Sequence, residues 1–368
     1  MKKKKLKIIR FSPKGENSFF DDVHSRVTEY FEQNNISPYG NGKMWFKTAF
    51  MLLLYFIPYI LIVSGLAAFS TAFYLSMWAV IGLGICGIGT AVMHDANHGS
   101  YSPNKKVNRT ISYVLEIIGG YSVNWRIQHN ILHHTYTNIP DLDEDIETSK
   151  FLRFSPNQPQ KWYHRYQYIY AWLFYLLLTF FWMTGKDYIK AVKYRDHDLL
   201  IKEKVTFKKA LFFITVCKIA FITYALVLPL LFSGMPAGLT VAGFFIMHAV
   251  GGLSLACVFQ PAHVIHTSDY AVPQTINGKE TMENSWAVHE ILNTCNFAME
   301  NKPLTWFIGG LNHQIEHHLF SGICHVHYSK ISPIVKATAL EHGIPYNHVP
   351  TFTGAIYQHA KMLKKLGE

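Results

Sequence analysis

The stretch "TAFMLLLYFIPYILIVSGLAAFSTAFYLSMWAVIGLGICGIGTAVM", residues 48–93, runs for 46 residues without Asp, Glu, Lys, Arg or His. One α-helical membrane span needs about 20 apolar residues, so this stretch is long enough to cross twice. It reads as a helical hairpin that turns near "AAFSTAF", residues 67–73, and returns at His94 to the side it left. A second hairpin reads from about Ala210 to Cys257, with its turn at "SGMPAG", residues 233–238, where Gly and Pro interrupt the apolar run.

The composition agrees with a membrane protein. Of the 368 residues, 49% are hydrophobic and only 16% are charged, where a soluble domain carries about 25%. The net charge of +10 does not point to nucleic acid. The basic residues sit in ends and loops such as "MKKKKLKIIR" and "KDYIKAVKYRDHDLLIKEKVTFKK" rather than on one amphipathic face. Positive loops beside apolar spans mark the cytoplasmic side. Five widely spaced cysteines without a C-x-x-C pair offer neither a disulfide framework nor a thiolate metal site. The apolar run begins at about Thr48, late for a signal peptide, so the first segment is expected to remain cytoplasmic.

Between the hairpins, "YIYAWLFYLLLTFFWMTG", residues 168–185, is uncharged and nearly long enough to span. A single crossing there would place the histidines after Cys257 opposite those after Met93. It would also put outside the loop 186–209, which carries eight Lys or Arg residues. The segment is therefore read as an interfacial or re-entrant helix. Lys218, two turns into the third span, is expected to snorkel to the headgroups.

Three histidine groups then stand on one membrane face. They are "HDANH" with His94 and His98, "HNILHH" with His129, His133 and His134, and "NHQIEHH" with His313, Gln314, His317 and His318. After the fourth span, "QPAHVIH" adds His263 and His266. On a helix, i and i+4 side chains share a face, and imidazole is the commonest metal ligand. A single zinc takes four ligands, and eight or nine candidates are enough for two metals. A zinc-peptidase reading fails, because "HEILN" has Asn293 where H-E-x-x-H needs histidine. Haem needs one imidazole per axial position, not contiguous pairs. Two irons that activate O2 against a lipid chain suit the pattern best. A membrane metal transporter is disfavoured, because the histidines lie at span ends rather than along a path through the bilayer.

With these boxes the sequence resembles the membrane fatty acid desaturase family, in particular bacterial front-end acyl desaturases of the linoleoyl-CoA type. The likeness runs from "FFDDVHSRVTEYFEQ" to "EHGIPYNHVP". The family's H-x3-H, H-x2-3-HH and (Q/H)-x2-HH appear as His94 with His98, His129 with His133 and His134, and Gln314 with His317 and His318. The resemblance implies an all-α integral membrane fold, with four transmembrane helices in two hairpins, a cytosolic helical cap and interfacial helices. Residues 1–46 are then a cytoplasmic N-terminal segment, 47–324 the membrane domain with the di-iron site, and 325–368 a cytoplasmic C-terminal part of the cap.

It further implies His263 as one more ligand, with Gln314 as the box position and His313 as a substitute or outer ligand. Asp143 or Asp145, in "PDLDEDIE", could accept the free N–H of a ligating imidazole. A solvated acidic loop is the competing reading of that stretch.

The implied activity is O2-dependent insertion of a cis double bond into an acyl-CoA or acyl-lipid chain, Δ6-like, at two Fe ions. Hydroxylation is the runner-up, and the "QIEHH" form of the third box favours desaturation. The first 45 residues hold one histidine, His24, where a fused cytochrome b5 haem needs two. Electrons are therefore expected from a separate carrier, ferredoxin or cytochrome b5. Membrane lipids are the other partners, and the expected location is the bacterial inner membrane with the site and both termini cytoplasmic.

Overall fold

A computed structural model describes residues 7–12, 16–147 and 150–368; the basic run Lys2–Lys5 lies outside the described residues. Helix α1 (Glu16–Gln33) precedes the first pair of apolar helices, α2 (Gly42–Val63) and α3 (Thr71–His98). A bent pair follows, α4 (Trp162–Leu176) and α5 (Leu178–Asp196), and then the second apolar pair, α6 (Phe207–Phe232) and α7 (Ala237–His263). By length and composition α2, α3, α6 and α7 can each cross a membrane. Shorter helices complete the chain: α8 (Trp286–Leu292), α9 (Gln314–Leu319), α10 (Tyr328–Glu341) and α11 (Phe352–Gly367). Among the described residues, strands occur only as two short pairings, Gln274–Ile276 with Lys279–Thr281 and Asn296–Phe297 with His348–Val349. The molecule is all-α, as its sequence leads one to expect.

Local chemistry starts and stops the apolar helices. The Asn41 side chain accepts the Lys43 N–H at 3.0 Å and opens α2, Ser70 does the same for α3 through Phe73, and Thr206 for α6 through Lys209. The first hairpin turns over residues 64–70, a few residues earlier than the apolar pattern suggests, because Gly65 takes φ +76° directly after α2. The second turns at Gly234, φ +71°. Outward side chains such as Leu53, Ile57 and Ile60 on α2 and Phe212, Val216 and Ile219 on α6 are exposed and apolar, as lipid contact requires.

The two hairpins meet along α3 and α7. A β-carbon on Gly82 would lie 2.6 Å from the Met247 carbonyl oxygen, and one on Gly243 would lie 2.2 Å from the Trp78 ring. Glycine at these positions lets the two backbones approach. The C-terminal ends of α3 and α7 therefore stand side by side, and with them His94, His98 and His263.

That juxtaposition decides the bent pair. Since α6 and α7 each cross once and α7 ends where α3 ends, residues 99–206 must leave and return on one side. The pair α4 and α5, bent by 56°, accordingly does not cross as one span, and it exposes Ile169, Leu173, Phe181 and Ile189.

Lys218 departs from expectation. It does not reach for headgroups: its ammonium is buried, 2.5 Å from the Asp187 carboxylate of α5, and donates to the carbonyls of Gly119 and Trp182. A fixed anion and two carbonyls within reach replace the water that snorkelling would supply, so the long side chain stays inside and ties α6 to α5.

On the histidine side, α1 and α10 bury Phe19, Val23 and Val27 against Tyr328, Ile331 and Val335. The same cluster takes in Ile315 and Leu319 of α9, so this layer rests directly on the helix carrying the third histidine box.

Candidate metal centre

Two departures from α-helical geometry present the histidines. Residues Ile88–Val92 form a π-helical turn just before His94, and Ile127–His133 form another carrying the second box. Such wide turns are rare and concentrate at functional sites. In the second box the wider i→i+5 turn sets His129 beneath both His133 and His134, so the two neighbours face different groups.

The ring nitrogens of His94, His98, His129 and His317 lie within 4.8 Å of one another, as do those of His133, His263 and His318. His134, His317 and His318 form a third such group that joins the two. His94 Nε2 is 3.2 Å from His129 Nε2, and His134 Nε2 is 3.2 Å from His129 Nε2 and 2.9 Å from His317 Nε2. The His98 and His318 Nε2 atoms are buried without a hydrogen-bond partner.

The opposite edges of the rings explain this convergence. His133 Nδ1 is 3.1 Å from both oxygens of Asp143, and His318 Nδ1 is 2.7 Å from Glu290. Carboxylates only accept, so these Nδ1 atoms carry the protons and their Nε2 lone pairs point inward. His263 Nδ1 likewise faces the Asn293 carbonyl at 3.2 Å, and His317 Nδ1 faces the Tyr328 hydroxyl at 3.2 Å. Clustered lone pairs repel one another unless cations share them. The donor set, all imidazole with oriented outer partners, fits two divalent iron ions.

Burial pushes the His129 imidazole down to about 3 and those of His134, His317 and His318 well below the ordinary range. They are therefore neutral and able to ligate. His133 differs: burial disfavours its charge, but the Asp143 and Asp145 carboxylates outweigh burial and hold it at about 9, so its inward Nε2 carries a proton that a bound cation would displace.

The acidic loop reaches the site because Asn138 and Asp141 adopt positive φ, +60° and +66°, and turn it back beneath the second box. Asp143 then accepts from Asn138 N at 2.8 Å, and Asp145 lies 3.5 Å from His133 and 4.0 Å from His129. The structure does not bring His313 or Gln314 into these groups. His313 is the N-cap of α9, with φ −103°, ψ 62°; its carbonyl accepts the His317 N–H at 3.0 Å, but its side chain lies outside both groups. Gln314 donates to the Leu311 carbonyl at 2.7 Å.

Three outer partners escaped the sequence reading. Glu290 follows His289 in the broken "HEILN" motif, and its position one residue from a histidine was the only signal. Tyr328 carried none. Asp95, inside "HDANH", lies 3.8 Å from His94 Nδ1 and also binds His325 Nδ1 at 2.8 Å, whose Nε2 meets the Lys47 ammonium at 2.7 Å. His289 is structural, bonded to the Thr137 carbonyl at 2.7 Å, and His248 packs against Phe244 and bonds Thr179.

The fatty acid desaturase family model matches residues 69–350. The chain belongs to the fatty acid desaturase family. This desaturase is similar to an sn-1 linoleoyl-lipid 6-desaturase of Arthrospira platensis, 33% identical over 352 residues that cover 95% of this chain and 92% of that one. An sn-1 linoleoyl-lipid 6-desaturase of Synechocystis sp. is 31% identical over 362 residues, 98% of each chain. An acyl-lipid (8-3)-desaturase of Physcomitrium patens is 32% identical over 365 residues, 98% of this chain and 74% of that one. The resemblance read from the histidine boxes is thereby shown.

Glu290 offers a direct check on the outer shell of this desaturase. Burial pushes its carboxyl well above the usual range, and a nearby cation reverses that balance. Glu290→Gln keeps an acceptor for His318 but removes the charge. It is expected to weaken iron retention about 10–100-fold, measured by competition with a chelator, and unchanged retention would remove Glu290 from the centre.

Proposed function

We propose that this protein inserts a cis double bond into the acyl chain of a membrane lipid, on the carboxyl side of an existing double bond, with O2 as co-substrate. The observation that carries the reading is the inward convergence of imidazole Nε2 atoms in two adjoining groups at the ends of α3 and α7. The full-length likeness to acyl-lipid desaturases supports the substrate class.

In this reading His94, His98, His129 and His317 hold one iron, His133, His263 and His318 the second, and His134 stands between them. Bound there, an iron pair supplies O2 activation strong enough to remove hydrogen from an unactivated methylene, which side chains cannot do. The chain's own residues do the rest. Asp143, Glu290 and the Asn293 carbonyl hold the Nδ1 protons and fix each ring's orientation. Trp125, 4.4 Å from the His129 ring and in edge contact with His94 and His98, covers the first group against water. The packed α3 and α7 fix the height of the ligands relative to the bilayer, and so which carbon of an acyl chain comes nearest.

The basic loops support a reading in which the site and both termini face the cytoplasm at a bacterial inner membrane, with a separate carrier such as ferredoxin or cytochrome b5 as the proposed electron donor. Expression in a host with a suitable reductant, followed by mass spectrometry of total fatty acids, tests the reading. The expected product is lighter than its precursor by two hydrogens, with a cis bond on the carboxyl side. A product heavier by one oxygen would instead make the protein a hydroxylase.

A further inference from the structure

Lys47 is the last charged residue before the uncharged run 48–93, a place where lysine ordinarily reaches for headgroups. Here it turns inward. Trp45 and Phe46 beside it are exposed, whereas Lys47 is only 3% exposed. Its ammonium lies 5.4 Å from the centre of the Trp306 ring and 2.7 Å from His325 Nε2. A buried charge is costly unless an opposite charge answers it, and the answering carboxylate is Asp95, reached through the His325 ring.

The hydrogen bonds fix the order of the groups. Asp95 Oδ2 accepts from the His325 backbone N–H at 3.1 Å and from His325 Nδ1 at 2.8 Å. A carboxylate only accepts, so the His325 proton is on Nδ1, and Nε2 is left as a lone pair that takes an N–H from Lys47. The other oxygen, Asp95 Oδ1, lies 3.8 Å from His94 Nδ1. That is the edge of the His94 ring opposite Nε2, which stands 3.2 Å from His129 Nε2 in the first group. A line of side chains thus runs from the first span to a candidate iron ligand: Lys47, His325, Asp95, His94.

The backbone holds this line at both ends. The Cys324 N–H donates to the Pro38 carbonyl at 2.8 Å, which ties the His325 loop to the segment before α2. Gly310, at φ +67°, lets that loop lie close, since a β-carbon there would stand 3.2 Å from the β-carbon and the carbonyl oxygen of His325. Thr48 Oγ1, one residue after Lys47, is 2.7 Å from the hydroxyl of Tyr101, just beyond the first box. Donor atoms of Asp95, Cys324 and His325 lie within 4.8 Å of one another, a spacing that would suit a further metal. The chemistry does not, because His325 Nδ1 is protonated and its Nε2 lone pair is already taken by an ammonium.

We propose that Lys47 and His325 are positioning residues of the metal centre: they aim the Asp95 carboxylate at His94 and offset its charge, and so poise the iron held by the His94 group for reduction. The proposal rests on the desaturase reading above. Outer partners of a ligating imidazole set its orientation and basicity. With Lys47 in place the carboxylate acts on His94 as one half of a neutral pair. Without it, an uncompensated negative charge faces the ligand and favours ferric over ferrous iron. A unit charge at this remove, in a partly polar interior, shifts a one-electron equilibrium about tenfold.

The test uses the full-length, iron-loaded protein in nanodiscs, held anaerobically at the wild-type midpoint potential, with ferrous and ferric iron counted by Mössbauer spectroscopy. Lys47→Met should lower the ferrous-to-ferric ratio about tenfold, equivalent to about 59 mV for one electron, while iron per chain is retained. Its kcat should fall with KM for the acyl substrate unchanged. Asp95→Asn should move the ratio the opposite way, because the ammonium then stands uncompensated, and the double variant should return close to wild type. A purely structural role for Lys47 would not reverse sign in this manner. If Lys47→Met does not fold, the double variant against Asp95→Asn decides alone, with about tenfold less ferrous iron expected in the double variant. An equal ratio in that pair, or an unchanged ratio in folded Lys47→Met, overturns the proposal and leaves the desaturase reading intact. A wild-type protein that retains no iron and yields no new unsaturated acid overturns both.

Discussion

Replacing His317 by alanine is expected to reduce desaturation below about 1% of wild-type turnover, the loss of a group the rest of the centre cannot replace. His317 is the side chain whose nitrogen belongs to the group of His94, His98 and His129 and also to that of His134 and His318. Its removal takes a donor from one group and breaks the link between the two. It also leaves the Tyr328 hydroxyl, 3.2 Å from His317 Nδ1, facing a void. Iron per chain should fall in the same preparation, whereas His348→Ala, at an exposed position outside both groups, should retain iron and activity. A folded His317→Ala protein with wild-type turnover would remove the proposed ligand set.

The second large effect concerns stability. Lys218→Met should destabilise the fold by about 3–5 kcal/mol, because it leaves the Asp187 carboxylate buried without its counter-charge. The ammonium also serves the carbonyls of Gly119 and Trp182, which lose their donor together. The double variant Lys218→Met with Asp187→Leu should recover much of the loss, since removing both charges removes the desolvation penalty with the attraction. Thermal unfolding in detergent compares the three proteins. If the single and double variants are equally stable, the pair is not what holds α6 to α5.

Much of this architecture is legible in one dimension because lipid is an undemanding reader of sequence. A span must be apolar and about 20 residues long, and the uncharged run 48–93 meets that requirement whatever its neighbours do. The same holds for the parity of crossings, which depends on counting spans and basic loops. Lys218 was misjudged for the converse reason. Whether a buried ammonium snorkels or pairs depends on what stands opposite, and Asp187 is 31 residues away in the chain.

The histidine boxes lie between these cases. Candidate ligand types and their grouping are written in "HDANH", "HNILHH" and "QIEHH", because the proposed metal pair needs that many imidazoles in one place. Which histidine belongs to which group is not. The assignment of His129 to His94, His98 and His317, and of His133 to His263 and His318, follows from a π-helical turn that spacing does not announce. His313 and Gln314 show the limit plainly: equivalent on an ideal helix, they are separated by the point at which α9 begins.

Composition and spacing alone were thus enough for the apolar spans and the grouping of the candidate ligands, since each depends on residue type and count along the chain, and the family came from the resemblance of the three boxes. The partition of candidate ligands into two groups, the outer partners Glu290 and Tyr328 and the engagement of Lys218 depend on side chains brought together from distant segments. Their distances are set when α3 packs on α7 and α1 packs on α10, and no local pattern encodes such distances.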